Sequence, residues 1–209
     1  MRKLPLTIIT AFSILLFVFP VFAQEATPPA RIRDQAVQER IKTAQERVKE
    51  RKDKIASREA TLKERLTVFK DQHKAQAVER VNKNLNLVND KRVAAMRKHL
   101  QRMSELLNKL NNRVNTAKAG GKDVSEAQAA MASASASMAE ASAALDLQAD
   151  KDYSLSVASE SAVSQEAKTA RDTLHTDLQN VRKLVVEAKQ ALMNAFRVAA
   201  TSLKGIGEK

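Results

Sequence analysis

The apolar residues on either side of Gly120-Gly121 are mirror images of one another. Before the glycines, Met96, Leu100, Met103, Leu107, Leu110, Val114 and Ala117 are spaced alternately four and three apart. After them, Val124, Ala127, Met131, Ala134, Met138, Ala141 and Leu145 repeat the pattern in reverse. Ala117 thus reflects onto Val124, Leu110 onto Met131 and Met96 onto Leu145. Two a/d seams related in this way close on each other only as an antiparallel helical hairpin around a tight glycine turn. Small residues on the second seam face large ones on the first, Ala134 against Leu107 and Ala141 against Leu100, which permits close approach without voids.

The rest of the chain supports an all-α reading. After Pro29 there is no proline, and up to Gly205 the only glycines are 120 and 121. A proline costs a helix interior ~3 kcal/mol and a glycine ~1 kcal/mol relative to alanine. There is no cysteine, so no disulfide or thiolate site is available. Beyond residue 23 the aromatics are only Phe69, Tyr153 and Phe196, too few for an ordinary sandwich or α/β core of this length.

The first residues have the layout of a secretory signal. Met1-Arg2-Lys3 is basic, Leu4 to Val21 is mainly apolar, and Val21-Phe22-Ala23 offers a cleavage site after Ala23. Residues 1–23 are read as a signal peptide, or as a retained membrane anchor if uncleaved, because the apolar run is just long enough to span. Export to the periplasm, cell surface or exterior is expected in either case. Residues 24–30 read as an extended linker.

Residues 31–118 contain no breaker and form either one helix or two with a bend, best placed at Lys70-Asp71-Gln72-His73-Lys74. From Ile41 to Phe69 the seam is thin: Ile41, Val48, Ile55, Leu62 and Phe69 are seven apart, and intervening positions such as Arg51 and Arg58 are charged. From Val81, with Leu85 and Val88, the stripe fills out. Residues 31–75 are therefore read as a basic coiled-coil arm and 76–209 as a three-helix bundle. The second helix covers 123–148, with Asp123 as its N-cap. Asp150 to Val157 alternates polar and apolar residues, so 149–160 reads as an extended loop. A third helix runs to about Leu203 on the stripe Ala167, Ala170, Leu174, Leu178, Val181, Val185, Ala188, Leu192, Ala195 and Ala199. The expected fold is an elongated antiparallel hairpin completed to a three-helix bundle, with a long basic N-terminal helical extension.

The formal net charge is +12, and its excess lies before Gly120. Arg40, Arg47, Arg51, Lys54, Arg58 and Arg65 share about 60° of a helical projection, a ridge suited to an anionic polymer or membrane surface. Pairs such as Glu50–Lys54 and Glu59–Lys63 give the plainer reading of a solvated, salt-bridged face. Sequence-specific nucleic-acid binding is not expected, because no recognition motif is present.

No phosphate-binding loop, nucleotide glycine pattern, metalloprotease motif or nucleophile elbow occurs. His73, His99 and His175 read as helix-surface residues. Met96, His99 and Met103 share one face with Met138 opposite, a ligand set that would suit Cu(I), but methionines on a seam read first as core. The Ser/Ala run at 132–144 reads as close-packing helix surface. The sequence therefore points to no catalytic residue, cofactor or metal.

Segments such as Lys98-His99-Leu100-Gln101-Arg102-Met103 and Asp177-Leu178-Gln179-Asn180-Val181-Arg182-Lys183, on long basic helices behind a signal, resemble uncharacterised exported coiled-coil proteins of candidate bacterial lineages. The resemblance implies an exported, non-enzymatic structural or interaction protein of the envelope. Its partners would be a helix of another protein, a second copy through the N-terminal arm, or an anionic envelope polymer or membrane surface. A fainter analogy is to periplasmic holdase chaperones with long helical arms, although their β-rich body has no counterpart here.

Overall fold

The computed structural model describes the backbone of residues 30–204, and side chains from Lys42 onward except 44 and 45. Residues 1–23, read from sequence as a signal, residues 24–29, the tail glycines and the side chains of Arg40 and Ile41 lie outside the described residues. Among the described residues four helices follow one another: α1 (Ala30–Leu66), α2 (Gln72–Ala119), α3 (Ser125–Ala149) and α4 (Val163–Leu203). No strand occurs among the described residues. Lys42–Lys209 forms one compact unit, and residues 1–41 fall into a separate one.

The breaker-free stretch is two helices, and the interruption starts three residues before the polar patch and overlaps only Lys70 and Asp71 of it. Thr67 to Asp71 leave the helical path, and the Asp71 carboxylate caps α2 by accepting the Lys74 N–H at 3.0 Å. The chain then reverses, so that Lys63 meets Glu79 and Arg51 meets Asp90 across the α1–α2 gap.

The mirrored seams meet as expected. Leu100, Met103, Leu110, Val114 and Ala117 of α2 are buried with Val124, Ala127, Met131, Ala134, Ala141 and Leu145 in one apolar cluster. Met96, Leu107 and Met138 pack partly buried against it. Between the seams the chain turns in a Schellman geometry. The Lys122 N–H donates to Ala117 O at 3.1 Å and the Gly121 N–H to Lys118 O at 3.0 Å. The motif puts Gly121 at φ 81°, the left-handed region that side chains disfavour. Helix α3 starts at Ser125 rather than 123, with Val124 instead of Asp123 in the N-cap position. The Asp123 carboxylate nevertheless takes the Ser125 N–H at 3.0 Å, so it still satisfies a first-turn donor.

Helix α4 completes this cluster with Val181, Ala188, Leu192, Ala195 and Ala199. Lys122 Nζ donates to Leu203 O at 3.0 Å and ties the end of α4 to the hairpin turn. Helix lengths now set the architecture. At 1.5 Å per residue α2 extends ~72 Å and α4 ~62 Å, but α3 only ~38 Å. Beyond the end of α3, the faces of α2 and α4 are covered by the connection 150–162 and the last turns of α1.

That second cluster contains Leu62, Leu66 and Phe69, Ala75, Val78 and Leu85 of α2, Tyr153, Leu155 and Val157 of the connection, and Val163 and Leu174. The period-two pattern of the connection is explained here. Tyr153, Leu155 and Val157 point inward, while Ser156 and Ala158 are exposed. No described Cα of α1 comes within 8 Å of a Cα of another helix, because this extended strap lies in between.

Gly121→Ala should cost about 1–2 kcal/mol, since its left-handed φ penalises a side chain even though nothing lies within 4 Å of the added Cβ. Gly120→Ala, at φ −81° with the new Cβ at 3.4 Å from Ala117 O, should be neutral or stabilising. Thermal melting of the two variants checks this contrast.

Candidate functional site

The densest set of polar side chains lies where the strap crosses α2. Asn82, Asn86 and Asn89 are buried at 2%, 5% and 0% exposure, on the face where helical spacing calls for apolar residues. Val81 and Val88, read from sequence as the start of the full stripe, are instead 36% and 42% exposed. The buried phase runs Val78, Asn82, Leu85, Asn86, Asn89, Val93. The asparagines stand in the apolar phase of the helix, and that is the signal by which they could have been found.

Their partners explain the substitution. An extended strand buried in a helical bundle has no neighbouring strand, so its N–H groups need acceptors from side chains. Asn82 Oδ1 accepts the Leu155 N–H at 2.7 Å, and Asn86 Oδ1 accepts the Tyr153 N–H at 3.0 Å. The fit is one of periods. Residues i and i+4 of a helix are ~6.0 Å apart along its axis, and i and i+2 of a strand ~6.6 Å. The rising α2 number meets a falling strap number, so the strap runs antiparallel to α2.

Asn89 closes the ladder. Its Nδ2 donates to Gln148 O at 3.1 Å, and its Oδ1 accepts from Gln148 Nε2 at 2.9 Å. Gln148 Nε2 also donates to the Tyr153 hydroxyl at 2.7 Å, which itself donates to Asp177 Oδ2 at 2.7 Å. This polar layer joins α2, the end of α3, the strap and α4, and it separates the two apolar clusters.

Charged groups close the site from outside. Asp152 Oδ1 accepts from Ser154 N and Oγ and from Asn86 Nδ2. Arg58 Nη1 lies 3.0 Å from Asp152 Oδ2, an ion pair without hydrogen-bond alignment. Lys151 Nζ lies 2.8 Å from Asp177 Oδ1. Arg51 Nε donates to Lys151 O at 2.9 Å and Nη1 to Asp90 Oδ1 at 2.8 Å. Burial opposes ionisation of both aspartates, but hydrogen bonds and cations outweigh it and hold their carboxyls below the usual range. Burial, reinforced by Asp177, pushes the Tyr153 hydroxyl well above its ordinary value.

The ridge read from sequence is divided by this arrangement. It borders the thin α1 seam by less than a quarter turn, so Arg51 and Arg58 face the strap as ion-pair partners. Their charges at seam positions are thereby explained. Arg47 is exposed, and Lys54 pairs with Glu50 at 2.7 Å. Arg65 is exposed beside an open groove of about 290 Å³ lined also by Arg58, Thr61 and Ser154. Arg40 lies outside the described side chains. The three histidines are exposed, and His175 contacts Gln179 at 2.8 Å. Met96, Met103 and Met138 belong to the apolar cluster, while His99 points away from it.

Chemically, the strap site is a closed lock. Its amides are spent on the strap and on one another, and its two buried side-chain atoms without a hydrogen bond are Arg51 Nη2 and Asp152 Oδ2, the latter 3.0 Å from Arg58 Nη1. Compared with protein-family models, curated proteins and solved structures, the chain matches none.

Asn86→Ala should leave the buried Tyr153 N–H without an acceptor, a loss of about 1–3 kcal/mol readable as a melting point lower by several degrees. The pH dependence follows from the same groups. The Tyr153 hydroxyl is raised in the fold, so its stabilisation is complete below ~pH 10 and is lost as pH rises beyond it. The two aspartates are lowered, so their contribution is complete above ~pH 4 and is lost on acidification. Tyr153 is the only tyrosine. Absorbance titration should therefore show tyrosinate forming later than in the unfolded chain, and stability falling at both extremes.

Proposed function

We propose that the chain is an exported, non-enzymatic helical protein of the cell envelope, a structural or interaction protein that acts through its surfaces. The observation that carries this reading is the closure of its main polar site. Asn82, Asn86, Asn89, Gln148, Tyr153 and Asp177 are spent on fixing the strap. Asp152 and Asp177 serve as counterions to Arg58 and Lys151, a role unlike that of a general acid held near neutral pKa. The signal-like residues 1–23 support export.

On α1, Arg47 and Lys52 are exposed and Val48 is 44% exposed. Leu62 and Phe69 of the same seam are buried against the strap, so only its start around Val48 is left for another helix, either of a partner or of a second copy. The holdase alternative has less behind it. Val68, Leu147 and Met193, exposed at 82%, 70% and 60%, belong to three separate elements and make no continuous apolar surface of the kind that marks a binding site.

Light scattering on the chain from Gln24 to Lys209 at ~50 and ~500 mM salt tests the self-association form of this reading, because that range screens exposed charge strongly. A dimer at both salts supports pairing through the α1 seam. A monomer at both rules out self-pairing and directs the search to a different partner.

A further inference from the structure

Basic charge is concentrated on α2. Gln72–Ala119 carries eleven Lys and Arg against three Asp and Glu, whereas Ser125–Ala149 has no basic residue at all. Two of the three α2 acids are committed to α1, Glu79 to Lys63 and Asp90 to Arg51. The third, Glu105, accepts from Gln101 Nε2 at 3.3 Å.

The opposite side of α2 carries Arg80, Lys91, Lys98, Arg102, Lys109 and Arg113, all exposed. Among the described residues none of the six forms an ion pair. At ~100° per residue they fall within about 60° of one another, and Arg80 to Arg113 covers ~50 Å of helix. The buried stripe of Val93, Leu100, Met103, Leu110 and Val114 points well away from them. Lys98 and Arg102, and Lys109 and Arg113, are like-charged i,i+4 pairs that weaken the helix by a few tenths of a kcal/mol each. Glu105, three residues after Arg102 and four before Lys109, is the one acid beside these pairs, and it forms no ion pair within 4 Å among the described residues.

We propose that this outer face of α2 binds a linear polyanion, an extended flexible polymer bearing phosphate or sulfate groups. The proposal rests on reading the chain as an interaction protein and places the anionic contact on α2 rather than α1. Cations ~6 to ~17 Å apart along a straight axis can be met in succession by an extended polymer. The ridge is already fixed by the seam beneath it, so binding orders only its long side chains.

A bilayer fits the same face less well. Helices that lie in a membrane surface bury Trp, Phe and Leu beside their cations. Gln72–Ala119 has no aromatic residue, and the apolar neighbours Val81, Leu87, Val88 and Leu106 are only 36–45% exposed. Base stacking is equally unsupported, since Tyr153 is buried. Recognition is then by charge, with the salt dependence of counterion release.

The test uses the chain from Gln24 to Lys209, with heparin and long-chain inorganic polyphosphate as separate probes, titrated between ~50 and ~200 mM salt. The variant Lys98→Gln, Arg102→Gln, Lys109→Gln should weaken binding of both at least tenfold. It should also reduce the salt slope by roughly 2–3 and leave the melting point unchanged or higher. Arg47→Gln, Lys54→Gln, Arg65→Gln on α1 should have little effect. Wild-type affinity in the α2 variant overturns the proposal, as does a larger loss in the α1 variant, which would return the contact to α1 with the interaction reading intact. Absence of binding to both polymers at low salt also overturns it. So does tight binding to phosphatidylglycerol vesicles that neither polymer displaces, which would assign the face to a membrane.

Discussion

The organisation of this protein depends on side-chain amides of a helix supplying the hydrogen bonds that a neighbouring strand would supply in a sheet. Buried backbone N–H groups must be satisfied, and an unsatisfied one costs more than most single contacts return. Asn82 and Asn86 solve this for Leu155 and Tyr153, and the solution works because one helical turn and two strand residues advance by similar lengths. A register slip of one strap residue would move Tyr153, Leu155 and Val157 out of the apolar cluster. The amide ladder and the apolar alternation therefore specify the same alignment.

Helix lengths follow from this. Because α3 ends at Ala149, the distal halves of α2 and α4 need another cover. The strap provides it, and α1 lies outside the strap with Leu62 and Leu66 buried and Arg51 and Arg58 paired to Asp90 and Asp152. The thinness of the α1 seam is then a matched feature. It meets one extended segment rather than the broad face of a helix, so a few apolar side chains and two arginines suffice. The polar layer of Asn89, Gln148, Tyr153 and Asp177 marks the exchange between the two coverings and gives the interior a fixed register that apolar packing alone does not impose.

The hairpin was legible in the sequence because its information is local and periodic. Met96 to Ala117 and Val124 to Leu145 state both the seams and their alignment, and the glycines state the turn. The α4 stripe was legible for the same reason. The bend was legible from polar composition, although the capping role of Asp71 required geometry. The strap lock is not legible from polarity alone. Asn82, Asn86 and Asn89 look like surface residues when polarity is taken as exposure, and Val81 and Val88 then look like the core. Only the phase shared with Val78, Leu85 and Val93 contradicts that reading.

Charge divides in the same way. Sequence spacing alone gives α1 and α2 comparable basic faces, because a helical projection records where a residue points and not what it meets. The strap engages Arg51 and Arg58 of the α1 ridge, partly burying Arg51 and pairing the still exposed Arg58 with Asp152. Helix α2 keeps six exposed cations without an ion pair because its two outlying acids are drawn toward α1. The sequence by itself determined the helices, the turn, the seams and the excess of positive charge, since these follow from periodicity and backbone propensity within a few residues. Only the tertiary structure decided which polar residues are buried and which cations remain exposed. Both depend on segments tens of residues apart in the chain, Asn86 with Tyr153 and Arg51 with Asp90, whose pairing no local period encodes.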